Sequence, residues 1–318
     1  MTAAVTDYEF REGRARDVRS TFTISALAVH HTASKMGLLD APKPTSSQIE
    51  AEWAIQREVL EFVAGQPSGS YWICEDRGRA VGYARVHRGA DVEQLTELMV
   101  LPTHHGRGIG RALLERCFPE PPTPELGRVV VAAGAPGDLT LYQDFGVMPA
   151  AGHWHLRASV GDYVERRALA IDVDAAEPDV HALEADRAVA EWNALEPPAI
   201  GQRRPELHEF FARTRTCLAT MDGDGASALC WVGTNGDIGP AVAATPGDLV
   251  PVVLAALDRI ARLRNSGTLG LYCATDAWWL LRRLRQLGFR VYWPGWVMSS
   301  IPLPGLDRYM PMRPPHLI

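Results

Sequence analysis

Residues 97–114 place an apolar strand, a glycine-rich loop and the start of a helix in direct succession. The apolar run ends at Pro102, and Gly106, Gly108 and Gly110 follow at every second position. Because glycines have no Cβ atoms, alternating glycines let successive backbone N–H groups converge on one anion. The first turn of the following helix adds unpaired N–H donors and the positive end of the helix dipole. The sequence therefore predicts a phosphate-binding loop between a strand and a helix.

The spacing of the glycines excludes two common phosphate-binding motifs. A dinucleotide-binding fingerprint requires a third glycine where this chain has Arg111. A P-loop requires a Gly-Lys-Ser or Gly-Lys-Thr ending, which the segment lacks. The alternatives that remain are a phosphate-binding loop of another type and a glycine-rich turn that binds no ligand.

The segment resembles the pyrophosphate loop of the GNAT superfamily, whose members are acyl-CoA-dependent N-acyltransferases. The family pattern is Arg/Gln-x-x-Gly-x-Gly/Ala after a strand, and the matching residues are Leu98, Val100, Pro102, Gly108 and Gly110. His105 stands where Arg or Gln is usual. The resemblance implies an α/β (α+β) fold, in which a mixed, mostly antiparallel twisted sheet is flanked by helices. It also implies acetyl-CoA as cosubstrate and no metal.

The same resemblance implies which residues contact acetyl-CoA. The backbone of Leu98, Met99 and Val100 would pair with the pantetheine arm as an additional strand does. A β-bulge there would direct one N–H at the thioester oxygen. The pyrophosphate would be held by the loop, which consists of His105, Gly106, Arg107, Gly108, Ile109, Gly110 and Arg111. The asparagine that binds CoA in many family members falls on Ala135, so that contact is missing.

Aminolysis of a thioester needs a proton for the leaving thiolate and a base for the attacking amine. Tyr142 lies in the sequence Leu-Tyr-Gln-Asp-Phe-Gly, which resembles a family signature whose tyrosine reaches the CoA sulfur. A phenol with a pKa of about 10 stays protonated at neutral pH and can donate to the thiolate. Glu97 is the first candidate base, directly or through water. His153 and His155, which share one face of a predicted strand, are the second candidates.

Each of these assignments has a purely structural alternative. Tyr142 would then pack on the core with its hydroxyl at the surface, and Glu97 would be a solvent-facing strand residue. His153 and His155 would be structural residues of their strand.

An internal repeat predicts two domains. The length of 318 residues fits two domains of about 150 residues each. Phe-Gly-Val at 145–147 and Leu-Gly-Phe at 287–289 lie in corresponding places of a repeat of about 140 residues. We therefore predict a tandem GNAT architecture. Residues 1–163 would form the acyl-CoA-binding catalytic domain, and residues 164–318 a degenerate GNAT-like domain that completes the substrate pocket or dimerises.

The second copy has lost the residues that the first copy would use for chemistry. Its loop, 244–249, keeps one glycine, and Asp248 puts a negative charge where a pyrophosphate would sit. Leu284 stands in place of Tyr142. This half is therefore predicted to bind no acyl-CoA. It also holds an aromatic cluster, predicted to pack in the core or at a domain interface, or else to line a substrate site: Trp278, Trp279, Trp293 and Trp296.

Three local patterns give further structural expectations. Ser46 or Ser47 is predicted to cap the second helix, with Glu50 completing a capping box after Ser47. Two separate strands are expected near Met148 and over residues 153–157. Residues 167–173 are predicted to be the first strand of the second half.

The composition argues against several other classes of protein. A net charge of −6 offers no basic face for nucleic acid, and no apolar run reaches the roughly 18 residues that span a membrane. Residues 1–7 lack a signal pattern, so we expect a cytoplasmic chain. The five scattered cysteines lack Cys-x-x-Cys spacing, which argues against a disulfide framework and a zinc site. The scarcity of lysine beside abundant Arg, Ala, Gly and Pro indicates a high-GC bacterial genome.

The sequence thus predicts an acetyl-CoA-dependent N-acetyltransferase in which a small-molecule amine attacks the thioester directly. Natural-product modification or self-resistance is the expected setting, and a homodimer is possible. Two alternatives remain at this stage. One is an acetyltransferase acting on protein N-termini or lysines, and the other is a non-catalytic acyl-CoA sensor.

Overall fold

The computed structural model describes residues 7–39, 41–133, 136–170, 179–264 and 267–312. The chain divides into two compact units. The first comprises Met1–Val130 and Ala135–Met148, and the second comprises Val131–Gly134 and Pro149–Ile318. The division predicted at 163/164 from the repeat falls inside a helix of the second unit, and it stays a prediction.

The first unit combines a mostly antiparallel sheet with four α-helices among its described residues. Its elements are β1 (Glu9–Glu12), α1 (Val18–Lys35), α2 (Ser46–Ala64), β2 (Ser70–Asp76), β3 (Arg79–Arg88), β4 (Val92–Val100), α3 (Ile109–Cys117), β5 (Gly127–Ala132) and α4 (Pro136–Gln143). Strands β1 to β4 pair antiparallel in sequence order, and β5 pairs with β4 in parallel. A parallel neighbour needs a crossover connection, and α3 supplies it. The crossover places the start of α3 directly after β4.

Apolar side chains at helical spacing hold α3 on the sheet. Ile109, Leu113 and Cys117 follow each other at intervals of four and are fully buried. Burying an aliphatic side chain of this size stabilises the fold by about 1.5–3 kcal/mol. The helix position, and with it the loop before the helix, is therefore fixed by core packing.

The capping box predicted for α2 is formed by other residues. Thr45 is the N-cap, and its Oγ1 accepts a hydrogen bond from the Gln48 N–H at 3.3 Å. The Gln48 side chain accepts in return from the Thr45 N–H at 2.9 Å. The prediction of a cap at Ser46 or Ser47 with Glu50 is wrong, because the extended residue that precedes the helix is Thr45.

The second unit contains a five-stranded sheet, with strand order β13-β10-β9-β8-β7, and three strands of another sheet in the order β12-β6-β11, where β6 and β11 pair antiparallel. Its elements are β6 (Met148–Ser159), α5 (Val160–Ala170), β7 (His181–Leu183), α6 (Ala185–Ile200), α7 (Pro205–Thr214), β8 (Arg215–Asp222), β9 (Gly225–Gly233), β10 (Ile238–Ala243), α8 (Leu249–Leu263), β11 (Thr268–Ala274), α9 (Trp278–Gln286), β12 (Arg290–Ser299) and β13 (Tyr309–Met310). The apolar helix α8 lies at the centre of its core, where Val252, Val253 and Leu257 are fully buried.

A charged cluster is buried in the second unit. Glu196 forms an ion pair with Arg204 and accepts from the His208 ring at 2.9 Å. Arg204 also donates to the Tyr309 hydroxyl at 2.6 Å. The Nδ1 atom of His208 accepts from the Trp231 indole N–H at 3.2 Å, so Nε2 carries the proton that faces Glu196. Buried charges persist only when paired in this way.

Two strand predictions for this region are wrong. The segments expected as two strands near Met148 and over 153–157 form the single strand β6. Residues 167–170 of the strand predicted at 167–173 form the last turn of α5, and 171–173 lie outside the described residues. The helix is favoured because Val160, Tyr163 and Arg167 recur at helical spacing and bury one face. No helix among the described residues is both long and apolar enough to cross a membrane.

Candidate active site

The loop between β4 and α3 has the backbone conformation that its glycines permit. Gly106 has φ +74° and Gly108 has φ +80°, both in the left-handed region that other residues rarely adopt. Gly108 is the N-cap of α3, and no side chain caps this helix. The first-turn N–H groups of α3 are therefore available for an external acceptor, which is the property expected of an anion-binding loop.

Side chains around the loop form a second layer of contacts. Arg107 donates to the Tyr8 hydroxyl at 2.8 Å and to the Thr103 carbonyl at 3.2 Å. The Nε2 atom of His105 lies 2.8 Å from the Val100 carbonyl oxygen. These contacts tie the loop to the strand before it and to the N-terminal segment. The loop is thus held from several sides, while its glycine backbone carries no side chain that would obstruct a ligand.

Strand β4 separates from β5 before the loop. Its pairing with β5 runs only from Val92 to Leu95, whereas its pairing with β3 continues to Val100. Within the part of the chain that the structure describes, Leu98 to Val100 therefore pair along one edge only. An unpaired strand edge presents N–H and C=O groups that can bind an extended ligand.

A β-bulge lies just before this edge. Arg85 pairs with Glu97 and Val86 pairs with Leu95, so Thr96 is the additional residue on β4. The Thr96 hydroxyl donates to the Arg85 carbonyl at 3.1 Å. A bulge bends a strand and re-aims the residues that follow. It contributes to the divergence of β4 from β5.

Helix α4 lies against the first turn of α3. The Leu141 Cδ2 atom lies 3.6 Å from the place that a Cβ on Gly110 would take, and Arg111 forms an ion pair with Asp144. Tyr142 lies between Leu141 and Asp144 in the sequence and is 7% exposed. Burial, and to a lesser extent Asp138, raises the pKa of Tyr142 above its usual 10, so the phenol is protonated at neutral pH.

Glu97 is buried rather than solvent-facing. Its Oε1 accepts from the Tyr83 hydroxyl at 2.7 Å, and its Oε2 lies 2.7 Å from Arg85 Nη1. Burial lowers the pKa of Arg85, but Glu97, Tyr83 and Tyr71 together raise it by more, so the guanidinium is charged. The Arg85 guanidinium also lies 4.6 Å from the centre of the Tyr71 ring. The solvent-facing alternative for Glu97 is therefore wrong.

Sequence reasoning overlooked Arg85 and Tyr83. Both lie on β3, two residues apart, so they share one face of the strand. A charged residue within the otherwise apolar segment 81–86 was a usable signal, because a strand buries such a charge only against a partner.

The two histidines of β6 belong to the second unit and are buried. His155 stacks on Tyr272 with 4.4 Å between ring centres, and His153 stacks on the same ring at 5.2 Å. Exposed fractions of 3% and 4% for His153 and His155 leave little of either ring open to solvent. Both histidines therefore pack against the Tyr272 ring.

Three tryptophans of the second unit are exposed. Trp278, Trp279 and Trp296 expose 65%, 58% and 40% of their surface, so the alternative that these three pack in the core is wrong, while the interface and substrate-site alternatives stay predictions. The buried face of α9 is formed instead by Leu280, Leu281 and Leu284, and the two tryptophans of its first turn lie off that face.

The loop before α8 in the second unit, which the repeat aligns with the glycine loop, carries a negative charge. Asp248 directly precedes α8, and its carboxylate accepts from the Thr245 hydroxyl at 2.6 Å. A carboxylate at the start of a helix repels a phosphate that would bind there. Among the described residues no group of His, Cys, Asp and Glu side chains could hold a metal ion.

Residues 67–146 match the family model described as an acetyltransferase (GNAT) domain. The chain contains a GNAT acetyltransferase domain. It is accordingly an acyltransferase, and the matched region includes β4, the glycine loop, α3 and α4. GNAT acetyltransferases use acetyl-CoA, so the predicted cosubstrate agrees with the family.

Solved structures share the fold across both halves. A putative acetyltransferase from Pyrococcus horikoshii is 16% identical with a TM-score of 0.67, and the match covers 95% of this chain and 93% of that one. A GCN5-related N-acetyltransferase from Sphaerobacter thermophilus is 15% identical, with coverage of 93% and 96% and a TM-score of 0.57. A tandem GNAT protein from the clavulanic acid biosynthesis pathway is 16% identical, with coverage of 93% and 99% and a TM-score of 0.51. The predicted fold class, two GNAT-like domains with mostly antiparallel sheets, is confirmed.

Proposed function

We propose that this GNAT protein transfers the acetyl group of acetyl-CoA to the nitrogen of a small-molecule amine. The observation that carries the proposal is the start of α3, where left-handed Gly106 and Gly108 leave the first helical turn without a capping side chain. The loop from His105 to Arg111 would bind the pyrophosphate through its backbone N–H groups. The free edge at Leu98, Met99 and Val100 would pair with the pantetheine arm.

The reaction is a direct aminolysis. The amine nitrogen forms a bond to the thioester carbon, the carbon–sulfur bond breaks, and CoA leaves as a thiolate that takes a proton. A backbone N–H on β4 near the bulge would donate to the thioester oxygen as negative charge develops there. The products are the N-acetylated amine and CoA.

Tyr142 would supply the proton to the thiolate. Its hydroxyl is kept protonated by burial, and α4 holds it beside the start of α3. A protonated phenol donates readily to a thiolate whose own pKa is about 8.5. We assign this catalytic role to Tyr142.

Glu97 would receive the proton that the amine loses, directly or through water. Oε1 accepts a hydrogen bond, whereas Oε2 forms an ion pair without a hydrogen bond among the described residues. Oε1 faces the neutral Tyr83 hydroxyl, whereas Oε2 faces the charged Arg85.

The proposal extends to the biological setting of the reaction and to the role of the second half. The arginine-rich, lysine-poor composition motivates a bacterial natural-product or self-resistance setting in the cytoplasm. The second half would serve acceptor binding or dimerisation and bind no acyl-CoA, because Asp248 occupies the start of α8.

The decisive experiment combines cosubstrate binding with turnover. Calorimetry of the full chain should give one acetyl-CoA site per chain, and Gly108→Glu should abolish it by placing a charged side chain in the loop. A thiol-release assay over an amine library, with N-terminal and lysine peptides included, then identifies the acceptor. Two sites per chain, or undiminished binding by Gly108→Glu, contradicts the assigned site. Acetyl-CoA binding without turnover on any amine would indicate a sensor, and turnover on peptides alone a protein acetyltransferase.

A further inference from the structure

The second unit has an arginine-lined pocket that shares no residue with the candidate active site. Its volume is about 430 Å³, and four arginines from four different elements line it. They are Arg157 on β6, Arg166 on α5, Arg285 on α9 and Arg290 on β12. We propose that this pocket binds a small anion that carries at least two phosphate groups.

The charge of the pocket opposes that of the whole chain. Four guanidinium groups and a single carboxylate, Asp162, line it, which leaves an excess of three positive charges. The whole chain has a net charge of −6. Like charges gathered in one concavity repel each other, and a bound polyanion would remove that repulsion. The pocket is therefore a local site for negative charge on an acidic protein.

The four arginines of the pocket form no ion pairs with carboxylates among the described residues, although Asp162 lies in the same pocket. Arg285 makes one hydrogen bond, to the Phe289 carbonyl at 2.7 Å, which uses one of its five N–H groups. Most of the guanidinium donors that line the pocket remain available to a ligand.

Contacts within the second unit hold two of these side chains in position. The Arg157 guanidinium lies 3.6 Å from the centre of the Tyr292 ring, a cation–π contact, and its Nε–H donates to His155 Nε2 at 3.5 Å, which leaves the two Nη groups for a ligand. Arg166 packs closely beside Gly288, where a Cβ would lie 3.1 Å from its Cδ and Nε atoms. Gly288 also has φ +90°, so both the backbone conformation and the close approach of Arg166 favour glycine there. Held arginines lose less conformational entropy when a ligand binds.

The chemistry of the lining selects phosphate over other anions. Guanidinium forks donate pairs of parallel hydrogen bonds to phosphate oxygens, and their charge does not depend on pH in the physiological range. A single phosphate carries about two negative charges, fewer than the excess in the pocket. The volume lies within the range of small-molecule sites and admits two phosphates with a small organic group. A bisphosphate or pyrophosphate compound fits both requirements.

The test uses inorganic pyrophosphate as probe and the full-length chain. Calorimetric titration of Arg166→Gln and Arg290→Gln should show pyrophosphate affinity lowered about ten- to a hundred-fold by each, the loss expected for a charged hydrogen-bonding partner. Arg282→Gln, on the same helix as Arg285 but outside the pocket, is the matched control and should bind as the wild type does. Raising the salt concentration should weaken binding, and citrate should bind more weakly than pyrophosphate.

Pyrophosphate binding at the glycine loop of the first unit is distinguished by two further titrations. The pocket variants should bind acetyl-CoA with unchanged affinity, and Gly108→Glu should retain pyrophosphate binding at the pocket. Loss of pyrophosphate binding in Gly108→Glu would assign the probe to the glycine loop and overturn the proposal. Absence of binding by the wild type, equal loss in Arg282→Gln, or preference for citrate would overturn it as well. None of these outcomes bears on whether the protein is an acetyltransferase.

Discussion

The Arg85 guanidinium lies 2.7 Å from the Glu97 carboxylate, and the two residues are direct cross-strand partners on β3 and β4. Both side chains are almost fully buried. The pair stands at the β-bulge from which the proposed pantetheine-binding edge begins, so it couples the fold to the proposed chemistry. Removing one partner leaves the other charge buried and unpaired, which is far more costly than losing an exposed ion pair.

Arg85→Met should lower the free energy of unfolding by about 3–5 kcal/mol, because Glu97 then remains buried without a cation. Adding Glu97→Gln should recover part of this loss, since the buried charge disappears. Chemical denaturation of the full chain measures both. Arg57→Met is the control, because its ion pair with Glu61 is exposed and contributes at most about 1 kcal/mol. Equal losses for Arg85→Met and Arg57→Met would show that the buried pair is not held as described.

Gly108→Ala should weaken acetyl-CoA binding. Gly108 has φ +80°, and an L-residue adopts that conformation only at a cost of about 1–2 kcal/mol, so the loop should relax to another shape. Gly78→Ala is the matched control, since Gly78 has φ +71° in the β2–β3 turn and nothing within 4 Å of a Cβ. Calorimetry should show reduced acetyl-CoA affinity for Gly108→Ala alone. A similar reduction in Gly78→Ala would attribute the effect to general destabilisation.

Tyr142→Phe should retain acetyl-CoA affinity while turnover falls by roughly ten- to a thousand-fold, the range expected when an acid catalyst is lost. Tyr163→Phe controls for the loss of a buried hydroxyl, because Tyr163 donates to Asp258 at 2.6 Å in the second unit. Its turnover should stay at the wild-type level. Steady-state thiol release measures both variants, and unchanged turnover in Tyr142→Phe would leave that residue a packing group.

Glu196 should make stability depend on acid pH. Burial raises the pKa of Glu196, but Arg204 and His208 lower it by more, to about 2 from the usual 4.5. As pH falls below 4.5 the unfolded chain takes up this proton first. The stabilisation is therefore present above that pH and is lost between it and about 2, by up to roughly 1.4 kcal/mol per pH unit.

Denaturation measured between pH 2 and pH 6 checks this dependence. Glu196→Gln should be less stable at neutral pH, because Arg204 loses its partner, and its stability should fall less steeply as pH is lowered. The exposed substitution Glu209→Gln should keep the wild-type slope. An unchanged slope in Glu196→Gln would mean that other carboxyl groups govern the acid transition.

The second half should affect acceptor use rather than cosubstrate use. Trp278→Ala with Trp279→Ala removes two exposed rings at little cost to folding, and we expect a several-fold higher acceptor KM with an unchanged acetyl-CoA KM. Val291→Ala, another exposed apolar residue of this half, is the control. If the acceptor KM stays constant while size-exclusion chromatography shows altered assembly, the tryptophans serve dimerisation instead.

Local patterns in the sequence predicted local structure well. The apolar residues of 249–263 recur at helical spacing, and they form helix α8 over Leu249–Leu263. The prediction of a strand at 167–173 is wrong because it rests on the internal repeat, whereas the helical spacing of Val160, Tyr163 and Arg167 favours a helix. The capping box failed for a smaller reason, since adjacent Thr and Ser residues compete for one N-cap.

The sequence alone determined the strand, glycine loop and helix of the candidate site, since left-handed backbone and a helix start depend on neighbouring residues. Only the tertiary structure decided which side chains surround it. The Arg85–Glu97 pair depends on strand register and a bulge at Thr96, and the exposure of Trp278 depends on how α9 packs. The arginine pocket draws on four elements that are distant in sequence. Side chains from distant elements are brought together when apolar faces are buried against each other. This long-range packing leaves no periodic pattern in the sequence.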